Sequence, residues 1–223
     1  MAYSLVATKA GTFGGSGGTT GTVDTSGADF LVVVVNYHSS FTGATPLSDS
    51  KGNSWTLMRS EVASPDTVRV YWCTPGLNVG TGHTFSTTTG YSNIFAYAFS
   101  GSRTASSPAD QQNGGNANAA SAATGSITPS AANCLVITGY GGFNPGGTPS
   151  MSSGGSAFTI PTGFAIPTST SEAGASSYSI QTTATAENVT WTSTSSVWSA
   201  SIIVSFLPPA AAATSDGNFL AFM

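Results

Sequence analysis

The sequence predicts an all-β protein, an antiparallel sandwich whose two halves repeat one pattern. Three observations lead there. Phe30-Leu-Val-Val-Val-Val35 is a run of six apolar residues, four of them β-branched. It is too short for a membrane span, and β-branched side chains lose χ1 freedom in a helix. Elsewhere apolar residues alternate along short runs, and no window carries a 3.6-residue period. The run at Phe30 is echoed about a hundred residues later by Asn133-Cys-Leu-Val-Ile137.

A first strand is expected at residues 3–8. The glycine-rich Gly11-Thr-Phe-Gly-Gly-Ser-Gly-Gly-Thr-Thr-Gly21 follows it. It lacks the dinucleotide fingerprint and no helical pattern comes after it, so it reads as a loop. A short strand at 20–24 feeds the central strand at 30–35, which is apolar on both faces and needs cover on both sides. Asp49-Ser-Lys-Gly-Asn53 has hairpin-turn chemistry: an aspartate to accept local N–H groups, then a glycine for positive φ. As Ca²⁺ ligands, Asp49 and Asn53 are too few. Val68-Arg-Val-Tyr-Trp-Cys73 alternates two faces and stops at Thr74-Pro-Gly. Strands at 83–88 and 93–99 come next, the second with Phe95, Tyr97 and Phe99 on one face. Residues 101–125 are poor in large apolar side chains and read as a long surface connection.

Then the pattern restarts. Residues 22–33 lie over 126–137 without a gap, and 52–57 over 155–160. Tyr71 falls on Tyr178, 83–88 on 189–194, and 95–99 on 202–206. The order is kept at a nearly constant offset, the mark of an internal duplication. The expected organisation is one sandwich over residues 1–209, built from repeats at about 20–101 and 124–208 with a pseudo-twofold relation. Two tandem sandwiches are the other arrangement the pattern allows. Pro208 and Pro209 end the fold. Residues 210–223 form a tether and arm, where Phe219, Leu220, Phe222 and Met223 need an apolar partner surface, on this sandwich or on a neighbouring subunit.

Composition narrows the function. Charged residues make up 6% of the 223, against about 25% in ordinary globular proteins. With 39% apolar residues the chain is not disordered, so its surface is rich in hydroxyls and amides. A net charge of −4 and five scattered basic residues argue against nucleic acid and anionic membrane as partners. Residues 1–9 have neither a basic nor an apolar signal region, so no signal peptide is expected. Cys73 and Cys134 sit in strand-like runs and read as buried thiols, with a disulfide as the alternative.

The inventory for catalysis is thin. His38 and His83 read as edge or surface residues, and Glu61, Glu172 and Glu187 lie in unrelated segments. Asp24 and Asp29 flank a turn and read as local caps. There is no G-x-S-x-G, H-E-x-x-H or C-x-x-C. No catalytic residue, metal or cofactor is expected; only a carboxylate pair assembled by the fold could support glycoside hydrolysis. Tyr37, Phe41, Tyr91, Phe143 and Trp198 lie near predicted strand ends or loops, where sugar rings could stack. Most aromatics in alternating strands belong to the core. Asn188-Val-Thr190 matches a glycosylation sequon in form only.

With its Asp49-Ser-Lys-Gly-Asn-Ser-Trp55 turn, the Leu-Val-Val strand before it and the closing Phe-Ser-Gly101, the chain resembles a group of β-sandwich modules of jelly-roll-like type. These occur in tailed-phage structural proteins and in large bacterial surface proteins. The resemblance covers about residues 20–208, and it carries no functional residues. It implies a virion or surface display module; as a virion component it is expected to contact other virion proteins and to form a homo-oligomer, and the charge balance speaks against nucleic acid and membrane insertion. Lacking a signal peptide, the expected protein is a phage capsid decoration or head or tail fibre component assembled in the host cytoplasm. The aromatics keep a second expectation open, a receptor- or glycan-binding adhesion module that meets a host surface glycan.

Overall fold

The computed structural model describes residues 2–14, 17–38, 47–74, 78–88, 90–101, 107–143, 146–167 and 172–209. Phe41 and the arm residues Phe219, Leu220, Phe222 and Met223 lie outside them. Among the described residues there is no helix. The strands are β1 (Ser4–Phe13), β2 (Gly18–Thr19), β3 (Phe30–His38), β4 (Leu47–Asp49), β5 (Thr56–Ala63), β6 (Asp66–Cys73), β7 (Phe85–Thr87) and β8 (Ser92–Ser100) in the first half. The second half holds β9 (Ala109–Ala123), β10 (Leu135–Phe143), β11 (Ser150–Ser152), β12 (Ala165–Ile166), β13 (Glu172–Ile180) and β14 (Thr190–Phe206).

Two antiparallel sheets face each other. The first has the order β1-β8-β3-β6-β5; the second runs β9-β14-β10-β13-β12, with β11 also on β14. Their inner faces share one core, which joins Phe30, Val34 and Phe99 of the first half to Leu135, Ile202 and Phe206 of the second. A small sheet, β2-β7-β4, covers the outer face of the first. There Leu31, Val33 and Val35 pack with Leu47 and Phe85. The apolar run at 30–35 therefore has cover on both faces, as its composition demands. Outside the second sheet, Val136 and Tyr140 pack with Val189 and Trp191.

The two halves correspond strand for strand: β1-β8-β3-β6-β5 matches β9-β14-β10-β13-β12. Several contacts between the sheets are reciprocal as well, although β5 meets β14 and β9 where its counterpart β12 has no such contact of like extent. β6 packs on β14 and β13 on β8, β6 packs on β10 and β13 on β3, while β3 meets its own counterpart β10. Local hydrogen bonds repeat too. Thr20 N–H donates to the Phe85 carbonyl at 2.8 Å, and Phe85 N–H to Thr20 Oγ1 at 3.0 Å. Thr124 and Val189 make the same pair of bonds at 2.9 and 3.1 Å. Val23 and His83 exchange backbone bonds as Ile127 and Glu187 do.

The ungapped match of 22–33 with 126–137 holds at that bridge and then slips by one residue. Phe30 pairs with Phe99 and Leu135 with Phe206, so Phe30 and Leu135 occupy equivalent places. The extra residue falls in the loop before β10, where Asn133 takes a left-handed conformation at φ 62°. The slip matters because one residue turns every side chain to the other face. Val33 faces the outer layer, whereas Ile137 faces the core between the sheets. By the same register Tyr178 corresponds to Trp72, not Tyr71, and Phe85 to Val189, not Trp191. The match of 95–99 with 202–206 stands.

Three expectations about elements need correction. β1 continues to Phe13, into the glycine-rich stretch, because β8 offers it a full edge to pair with. The stretch read as a surface connection contains β9, whose small residues form a strand through pairing with β14 rather than by propensity. The turn at Asp49–Asn53 joins strands of different sheets, β4 and β5, and so is not a hairpin. Its chemistry is as expected: Asp49 Oδ1 accepts Lys51 N–H at 2.8 Å, and Gly52 sits at φ 72°. Tyr3 O–H donates to the Leu207 carbonyl at 2.8 Å and ties the start of the sandwich to its end.

Candidate functional site

Along the inner face of β3 the side chains are Phe30, Val32, Val34, Asn36 and His38. One end of the core is aromatic, with Phe30 edge-on to Phe206 at 4.9 Å. The other end turns polar. Register brings His38 opposite Asp66 on β6, and Phe143 opposite Glu172 on β13. Since β3 packs on β10, the two pairs meet between the sheets. His38 stacks on Phe143 with ring centres 4.6 Å apart and planes 18° apart. His38 Nδ1 lies 3.1 Å from Glu172 Oε1 and 3.7 Å from Asp66 Oδ1. Phe143 is the counterpart of His38 and Glu172 that of Asp66, so the cluster forms where each half meets its equivalent.

Asp66 and Glu172 are each 1% exposed. Burial, and then the charge of Asp66, push the Glu172 carboxyl up to about 11. Burial also raises Asp66, to about 6, against the pull of Glu172 and His38. The two shifts belong to the pair, since each carboxyl disfavours ionisation of the other. Among the described residues no donor meets hydrogen-bond geometry on any of the four carboxyl oxygens. One ligand atom each from His38, Asp66 and Glu172 lie within 4.8 Å of one another, the dimensions of a metal-ligand set.

Beneath the cluster the sheets approach closely. Asn36 donates from Nδ2 to the Ala173 carbonyl at 3.2 Å, while its Oδ1 and the whole Asn93 amide have no partner among the described residues. Gly141 and Gly174 make the approach possible. A Cβ on Gly174 would overlap Asn36 Oδ1, and one on Gly141 would sit 2.8 Å from Asn36 Cβ. Their counterparts in the first half are Asn36 and Val68, so large side chains of one half face glycines of the other.

A groove of about 330 Å³ opens at this end, lined by Asn118, Phe143, Ser195, Ser196, Val197 and Trp198. Trp198 is 49% exposed and Phe143 39%. Phe143 thus touches His38 on one side and the groove on the other. Tyr91, also exposed, accepts His38 N–H at its carbonyl and sits at the same end. Tyr37 is buried, beneath the Arg69 guanidinium, and offers no face for a sugar.

One other expectation is overturned, and the carboxylate pair that the sequence left open is present. His83 is buried rather than an edge residue: its Nδ1 lies 3.0 Å from Thr25 Oγ1 and its Nε2 3.4 Å from Asp49 Oδ1. Burial raises the Asp49 carboxyl, but His83, the Lys51 and Asn53 N–H groups and Trp55 outweigh it and hold it below its usual range. Glu172 does not stand apart from the other acids. Asp66 and Glu172 escaped notice because their meeting needs both halves, yet a signal was present. Once central strands of a repeat are taken to face each other, residues at equivalent strand ends must converge. Cys73 and Cys134 are buried and form no disulfide, and burial lifts Cys73 to about 11. No protein-family model matches the chain, and no curated protein or solved structure matches it either.

Proposed function

We propose that this chain is a non-enzymatic display module, a structural component of a virion of the capsid-decoration or fibre kind, held in place by contacts between subunits. The observation that carries this reading is β9. This strand has 15 residues, is paired by β14 on one side, and contains a single charged residue, Asp110. Monomeric proteins guard such edges with lysine, proline or bulges. β9 has the Arg59–Glu61 pair of β5 beside Gly114 and Asn116 and irregular pairing near Ala109, but the low charge of the strand itself still favours strand addition from a neighbouring subunit. The non-enzymatic reading is favoured by burial: Asp66 and Glu172 are each 1% exposed, which leaves no open cleft for a glycoside between them. Light scattering on the full chain tests the edge. Gln112→Lys with Ser121→Lys, both at exposed β9 positions, should convert an oligomer to monomer, as should removal of residues 210–223. A parent chain that is monomeric at all concentrations sinks the reading.

A second reading, a glycan-binding adhesion module, is favoured by the groove between Phe143 and Trp198. Aromatic faces beside serine and asparagine groups suit a sugar's apolar and hydroxyl sides. A glycan array should give hits that Trp198→Ala removes. An array without hits eliminates this reading and leaves the first untouched.

A further inference from the structure

We propose that His38, Asp66 and Glu172 bind one divalent first-row transition metal ion, of the zinc or manganese class, at the meeting of the two halves. The inference rests on neither functional reading above. Its first support is spacing. Metal bonds of about 2.0–2.2 Å place neighbouring ligand atoms about 3.0–3.5 Å apart. The observed separations from His38 Nδ1 are 3.1 and 3.7 Å, with all three atoms inside 4.8 Å.

The second support is what the close approach lacks. At 3.1 Å from Glu172 Oε1, His38 Nδ1 still falls short of hydrogen-bond geometry, and so do the donors nearest the carboxyl oxygens, His38 and the Phe143 N–H beside Asp66. Buried acids are ordinarily hydrogen-bonded or paired. Here one ligand atom from each of the three side chains lies within 4.8 Å of the others. Asn36 Oδ1, also buried and unpartnered, lies against Gly174, two residues along β13 from Glu172.

Charge and ligand type decide which ion. Two carboxylates with a neutral imidazole balance a 2+ charge. An imidazole in the set favours zinc, manganese and their neighbours over Ca²⁺ and Mg²⁺, which prefer oxygen-only shells. His38 is 26% exposed in its side chain, so the ion has an approach from solvent.

The test uses the full chain, stripped with chelator and dialysed. Calorimetric titration with Zn²⁺ should give one ion per chain, and Co²⁺ should produce a visible absorption band of a nitrogen–oxygen site. Glu172→Gln keeps the shape of the protonated acid and should fold normally by circular dichroism. It should weaken Zn²⁺ binding at least about tenfold, and His38→Gln should do the same. A folded parent chain that shows neither heat nor a Co²⁺ band overturns the proposal. So does Ca²⁺ binding tighter than Zn²⁺, or variants that bind like the parent.

Discussion

The two halves share a strand order and a pairing register, yet they differ most where they touch. Asn36 and Val68 of the first half stand where Gly141 and Gly174 stand in the second; His38 is matched by Phe143. At some other equivalent positions the halves carry like for like: Phe99 and Phe206 at the aromatic end of the core, Thr20 and Thr124 in the caps. The difference has a packing cause. A position near a twofold relation faces its own equivalent, so two large side chains collide and two glycines leave a void. Large side chains set against small ones at these positions fill the space. A second contrast lies in the outer layers. His83 is held by Asp49 and Thr25, whereas Glu187, at the same bridge, accepts Ser156 N–H at 2.6 Å and Gln181 Nε2 at 2.8 Å. One backbone site is pinned by two different buried polar groups.

Truncating the shared core should have the largest effect. Phe99→Ala and Phe206→Ala should each cost about 3–5 kcal/mol in denaturant unfolding, through a single transition of unchanged slope. Two separated transitions would mean that the halves unfold independently. Next, Gly174→Val gives the second half the residue of the first. It should cost about 3 kcal/mol by forcing Asn36 aside, and adding Asn36→Gly should restore part of the loss. Additive costs would refute the large-on-small fit. Trp55→Phe removes the Nε1 donor to Asp49 Oδ2, now 2.8 Å long, and should cost about 1.5 kcal/mol.

The smallest effect is in pH. Asp49 has its folded pKa lowered, so its contribution is complete above the unfolded value near 4 and is lost as pH falls through the lower folded value. The melting temperature should therefore drop as the pH is taken below about 4, and Asp49→Asn should flatten that slope. A parent and variant with parallel pH profiles would show that His83 and its neighbours leave Asp49 unshifted.

Much of the architecture could be read from the chain. The run at 30–35 announced a strand covered twice, and Phe95 to Phe99 matched residues 202–206 in the register observed. The one-residue slip could not be read, because Asn133 absorbs it in a left-handed turn that many residues before a strand could equally supply. β9 was hidden because Ala, Asn, Gln and Gly are weak strand formers, and only the partner edge makes them extended. For the site, His38 was visible as the end of β3. Its acids were not, since Asp66 and Glu172 are brought together by packing of one sheet on the other.

The Tyr3–Leu207 tie has a consequence for synthesis on the ribosome. The first sheet has all its strands once residue 100 has emerged, yet its inner face, with Phe30, Phe95 and Phe99, has nothing to rest on. Its cover ends at Phe206, roughly 5–20 seconds of translation later at typical elongation rates. During that interval the nascent chain presents a bare apolar sheet, the very surface that holdase chaperones seek.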